Sequence, residues 1–163
     1  MQNFLDKYIS SGLAWLWLSY VVVMIDQLTK YFVKSSILLS HSEVINAFFE
    51  IRYVENKGAA FSFLADGHTW QYLFLISTNT IILFFLLSML FKSTFDRYHY
   101  NVAIALIIAG AIGNLVDRVR FGAVIDFFDF HINSYHWPTF NVADVAICFG
   151  AFLLMLATRK QHQ

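Results

Sequence analysis

Residues 98–118 read YHYNVAIALIIAGAIGNLVDR, and this stretch decides the fold. It carries no Asp, Glu, Lys or Arg until Asp117, and its length matches the roughly 20 apolar residues that a helix needs to cross a bilayer. Ala105, Ala109, Gly113 and Asp117 recur every four residues, so a stripe of small side chains leads up to a carboxylate. Small stripes let membrane helices approach closely. Three further stretches, at about 13–33, 70–91 and 139–158, have the same character. Trp15 and Trp17, Trp70 and Tyr72, Tyr98 and Tyr100, and Tyr135 and Trp137 open the four stretches, where aromatic belts mark a membrane interface. Between the first two, Phe49, Ile51 and Tyr53 alternate with Glu50 and Arg52, a period of two that predicts a short strand. The expectation is an all-α membrane protein of one domain, residues 1–163, with four transmembrane helices. A small β-sheet, from a region at about 40–66, lies on the membrane surface.

Composition agrees with that class. The chain has 163 residues, 58% hydrophobic and only 13% charged, against about 25% charged in soluble domains. Eleven basic and eleven acidic residues balance, so nothing points to nucleic acid. The single cysteine, Cys148, rules out an intrachain disulfide and a cysteine-based metal site. One proline and seven glycines leave no room for a flexible linker. The first stretch does not read as a removable leader, because Asp26, Gln27 and Lys30 continue its helix with no small-residue cleavage site after it. Basic residues are shared between the two membrane faces, so the charges do not orient the chain.

Four spans alternate in direction. The end of the first, the end of the third and the start of the fourth therefore share one membrane face. Asp26, Lys30, Asn114, Asp117, Arg118 and Asp144 fall in that layer, and the two connections on that side add Asn56 and Asp126. Ionisable groups in hydrocarbon are costly and usually face a bundle interior. Asp26 and Lys30 stand at i and i+4, a favourable order for a pair. Asp117 beside Arg118 reads as a structural pair fixing a helix end. Asn141, Asp144, Cys148 and Ala151 share one face of the fourth span; the small members read as a packing stripe, and the polar members at its end need a further reason.

Two neighbouring carboxylates share a proton, so one can activate water while the other protonates a leaving nitrogen. Asp126 and Asp144 fit this chemistry if the 18-residue separation folds back. With 124–130 extended, Asp126 and Asp129 point to opposite faces, and spacing does not say which looks inward. A serine mechanism lacks a histidine base within the spans. His131 and His136 have neither a nearby cysteine nor helical spacing, so no metal site is expected there. An ion carrier is the main rival, but carriers place their sites near the midplane between repeats, and no repeat is visible. A noncatalytic assembly factor would tolerate loss of Asp144.

Five blocks in order resemble the bacterial lipoprotein signal peptidases, or signal peptidase II: Asp26-Gln27-Leu28-Thr29-Lys30, Asn56-Lys57-Gly58-Ala59-Ala60-Phe61, residues 110–118, Val124-Ile125-Asp126-Phe127, and Phe140-Asn141-Val142-Ala143-Asp144. Together they cover nearly the whole chain. The resemblance implies a catalytic dyad of Asp126 and Asp144. Asn56, Asn114, Arg118 and Asn141 then line the site, and Asp26, Lys30 and Asp117 support it. It further implies a protease that needs no cofactor or metal and cuts diacylglyceryl-modified prolipoproteins just before the lipidated cysteine. By the same resemblance both termini lie in the cytoplasm and the site lies near the periplasmic face of the inner membrane. Membrane lipids are the other expected partner, and the chain is expected to act as a monomer, although nothing in the sequence reads out its oligomeric state.

Overall fold

The computed structural model describes residues 10–58 and 69–159. Four helices among them are long and apolar enough to cross a membrane: α1 (Leu16–Ser36), α2 (Thr69–Lys92), α3 (Tyr98–Phe121) and α4 (Val142–Arg159). A 3-10 turn, Gly12–Trp15, leads into α1. Four strands form one antiparallel sheet in the order β1 (Ser42–Asn46), β2 (Phe49–Asn56), β3 (Val124–Ile132) and β4 (Tyr135–His136). The molecule is thus a four-helix membrane protein with a small sheet. The part of the 40–66 surface region beyond Gly58 lies outside the described residues.

Helix α3 is the hub. It packs against α1, α2 and α4, and Ala103, Ile104, Ala105 and Ile108 along it are fully buried. Small residues make this possible, because a Cβ at Gly110 would collide with the Ala143 carbonyl and Ile147 of α4. Leu83, Leu86 and Leu90 of α2 close the core on the opposite side of α3. The outer faces of α1, α2 and α4 expose Tyr20, Phe32, Ile81, Phe84, Phe85 and Phe152, a surface suited to lipid rather than water.

A second core joins the sheet to the end of α1: Val33 and Ile37 pack on Tyr53 of β2 and on Ile125 and Phe127 of β3. This contact holds β3 across the mouth of the bundle. The register pairs Val54 with Asp126 and Asn56 with Val124, with a bulge in β2 between Ile51 and Val54. Second-connection residues therefore form a full strand of the sheet, whereas the alternating pattern is readable only in the first connection.

Two readings of the helices need correction. The buried face of α4 is Ala143, Ala146 and Gly150, while Cys148 and Ala151 are exposed. The stripe running from Asp144 through Cys148 therefore faces a groove and not a helix. The fourth helix also starts at Val142 and not near 139, because Pro138 precedes it and Asn141 caps it.

Candidate active site

The polar layer divides into two connected groups. In the first, Lys30 is almost completely buried, and its ammonium meets Asp26 Oδ2 and Asp117 Oδ2 at 2.8 Å each. It also donates to Asn114 Oδ1 at 3.3 Å. Three donors thus find three acceptors, the condition under which a buried cation is tolerated. Gln27 Nε2 ties the two carboxylates together, at 3.2 Å to Asp26 Oδ2 and 2.9 Å to Asp117 Oδ1. The remaining capacity holds other elements in place. Asp26 Oδ1 accepts from the Ala143 amide in the first turn of α4 at 2.8 Å, and Asp117 Oδ2 accepts from the Ile125 amide of β3 at 3.2 Å. Gly113 gives Asp26 this access, since a Cβ there would strike Asp26 Oδ2.

Asp117 therefore pairs with Lys30, not with Arg118 as the sequence suggested. Consecutive helical residues point about 100° apart and do not face each other. Among the described residues no carboxylate lies within 4.0 Å of Arg118, although it is close enough to feel the charges of Asp144, Asp126 and Asp117. Gln27 belongs to the network and carries no sequence signal beyond its place in the Asp26–Lys30 block.

The second group is organised by Asn141. Its amide Nδ2 donates to Asp126 Oδ1 at 2.6 Å, and its Oδ1 accepts from the Asp144 backbone N–H at 2.9 Å. In return Asp144 Oδ2 accepts from the Asn141 backbone N–H at 3.2 Å. This reciprocal pair is a capping box at the start of α4, so the cap that begins the helix also aims the Asp144 carboxylate. Asn114 Nδ2 donates to Asp144 Oδ1 at 2.8 Å, and Asn56 Nδ2 donates to Asp126 Oδ2 at 3.0 Å. The Gly58 amide donates to Asn56 Oδ1 at 2.9 Å, which fixes the turn after β2. Each of the four carboxylate oxygens thus receives one hydrogen bond from a neutral amide. Burial raises the Asp126 pKa from its ordinary 3.8 to about 6; the Asn56 and Asn141 bonds lower it, while the Asp144 charge raises it.

Two grooves meet at this pair. Val54, Glu55, Asn56, Lys57 and Asp126 line the more polar one, of about 390 Å³. Trp137, Phe140, Val145, Phe149 and Phe152 line an apolar one of about 600 Å³ that exposes Asp144. Pro138 and Thr139 border both.

Asp129, the alternative carboxylate, is just as buried but lies apart from this pair, with His131, His136 and Arg52 around it. It is Asp126 that the strand turns toward Asp144's partner Asn141.

Known proteins resemble this chain over most of its length. Residues 18–160 match the family model described as signal peptidase (SPase) II. The chain is 48% identical over 146 residues to the lipoprotein signal peptidase of Yersinia enterocolitica, covering 90% of this chain and 86% of that one. It is 49% identical over 148 residues to the lipoprotein signal peptidase of Haemophilus ducreyi, covering 91% and 92%. A bacterial membrane enzyme solved at 2.3 Å resolution superposes with a TM-score of 0.79 at 34% identity, over 92% of this chain and 90% of that one. With the family model spanning most of its length, this chain belongs to the signal peptidase II family and is a peptidase.

Proposed function

We propose that this protein is an aspartic endopeptidase that removes signal peptides from diacylglyceryl-modified prolipoproteins, cutting before the lipidated cysteine, with Asp126 and Asp144 as its catalytic pair. The observation that carries the reading is the single asparagine, Asn141, that bonds both aspartates and so fixes them together at the bundle mouth.

The chemistry follows from the donors. Neutral amides hold the two carboxylates, and no cation bonds either one among the described residues. Such a pair lowers its mutual repulsion by keeping one proton. In that state the ionised member takes a proton from water as the water oxygen attacks the scissile carbonyl, and the protonated member delivers its proton to the leaving nitrogen. Asn56, Asn114 and Asn141 hold the carboxylates in place, and Arg118 is positioned to receive a substrate carbonyl. Asp26, Lys30 and Asp117 keep α1, α3, α4 and β3 in register beneath them.

The grooves suit the substrate. An apolar signal helix and acyl chains match the groove at Asp144, while the polar chain beyond the cysteine matches the groove at Asp126. In this reading the chain acts as a monomeric single domain in the inner membrane, its termini in the cytoplasm and its sheet and active site at the periplasmic face.

The test is mass spectrometry of the products formed by the purified protein in detergent. Diacylglyceryl-modified prolipoprotein is expected to yield a new N-terminus at the lipidated cysteine, and the unmodified precursor is expected to stay intact. A cut elsewhere, or equal cutting of both substrates, contradicts the specificity.

A further inference from the structure

The β3–β4 hairpin carries a second polar cluster that the proposed dyad does not use. The register sets His131 opposite His136, and their rings stack at 4.9 Å with 26° between planes. Both Nδ1 atoms look toward Asp129 Oδ1, His136 at 2.8 Å and His131 at 4.0 Å. Asp129 is 1% exposed, yet among the described residues its Oδ2 accepts no hydrogen bond and the buried Nδ1 of His131 has no hydrogen-bond partner. The nearest cation is Arg52, whose Nη1 stands 3.6 Å from Oδ2 on a side chain 40% exposed to solvent.

A buried carboxylate oxygen and a buried ring nitrogen left without hydrogen-bond partners are costly unless something binds them. Their arrangement says what that would be. All three donor atoms lie within 4.8 Å of one another. A tetrahedral zinc ion with nitrogen and oxygen ligands at about 2.0–2.1 Å spaces its ligands roughly 3.3 Å apart. Measured from Asp129 Oδ1, the separations of 2.8 Å to His136 Nδ1 and 4.0 Å to His131 Nδ1 bracket that spacing, so small side-chain rotations complete the site with Oδ1 as the ligand. Two imidazoles and one carboxylate favour a borderline ion such as Zn2+ or Co2+ over Mg2+ or Ca2+, which take oxygen ligands.

We propose that Asp129, His131 and His136 form a binding site for a divalent transition-metal cation, separate from the aspartate pair. Loop spacing alone argued against such a site. The hairpin register and the third ligand from β3 reverse that argument. Bound metal would pin the hairpin whose continuation, Trp137 to Thr139, walls the two grooves.

The experiment is calorimetric titration of the full-length, tag-free protein in detergent with Zn2+. A visible absorption spectrum after loading with Co2+ accompanies it. One Zn2+ per chain, tetrahedral Co2+ bands and a raised melting temperature are expected. The His131→Phe variant, which loses no hydrogen bond and keeps the ring stack, is expected to fold with an unchanged metal-free melting temperature. It should bind at least about 100-fold more weakly, beyond the cost of losing an outer partner, and gain no thermal stability from zinc. Absence of stoichiometric binding by the wild type, or equal binding by the folded His131→Phe variant, overturns the proposal.

Discussion

Two pairs of aspartates occupy the same polar layer, and their surroundings make them different chemical objects. Asp26 and Asp117 share an ammonium, Lys30, at 2.8 Å each, and spend their other lone pairs on the backbone of α4 and β3 and on Gln27. Asp126 and Asp144 receive only asparagine side chains and one backbone amide, and both open onto grooves. A carboxylate paired with a buried cation is saturated with contacts. A carboxylate held by neutral donors beside another carboxylate can trade a proton. Residue type does not separate structure from chemistry here; the partner does.

The largest way to break this comparison is Lys30→Met. It strands two buried carboxylates, so the loss is expected to be about 3–5 kcal/mol of stability, read as a collapse of the melting temperature or of the folded yield. Asn141→Ala probes the other group. It removes the bridge between the aspartates and the cap of α4, costing about 2–3 kcal/mol of stability from the lost cap and the buried Asp126 oxygen left without its donor. Cleavage is expected to fall roughly 100-fold, because misplacing a reacting group by about 1 Å costs that much. A variant that melts like the wild type and cuts like it would mean that the bridge is ornamental.

Much of this contrast is legible before any coordinates. Antiparallel spans put Asp26, Lys30, Asn114, Asp117 and Asp144 at one face by direction alone, and the i, i+4 order of Asp26 and Lys30 anticipates their ion pair. Three things were hidden. The partner of Asp117 is on another helix, and its neighbour Arg118 was a misleading candidate. The packing face of α4 is not the one its stripe points to, because Cys148 and Ala151 have the spacing of packing residues but are exposed, Cys148 on a groove. The pairing of β2 with β3, which carries Asp126 to Asn56, is a long-range register that no local pattern encodes, and the β3–β4 hairpin that opposes His131 to His136 has a register that the spacing of the two histidines does not fix.

Acidity sharpens the comparison further. The folded protein holds the Asp126 proton up to a pKa of about 6, whereas an unfolded aspartate releases it near 3.8. Between those values the folded state binds the extra proton, so stability falls as pH rises through the window. Asp126→Asn removes that dependence. Its melting temperature is therefore expected to gain on the wild type as pH rises from about 4 to about 6, and the gap should then level off. In the proposed mechanism the same proton is needed for cleavage, so the alkaline limb of kcat/KM is expected to report the pair jointly. The smallest effect is that of Asn56→Ala. Loss of a hydrogen bond that favours the ionised form raises the Asp126 pKa further, and the alkaline limb should move up by about one pH unit or less.

The most direct test of the aspartate pair is cleavage of diacylglyceryl-modified prolipoprotein by wild type, Asp126→Asn and Asp144→Asn, each checked for folding by its melting temperature. Both variants are expected to melt no lower than the wild type by more than a few degrees while cleavage drops about 100- to 10,000-fold, the usual contribution of a positioned acid or base. Near wild-type cleavage by either folded variant would contradict the assignment of Asp126 and Asp144 as the reacting pair.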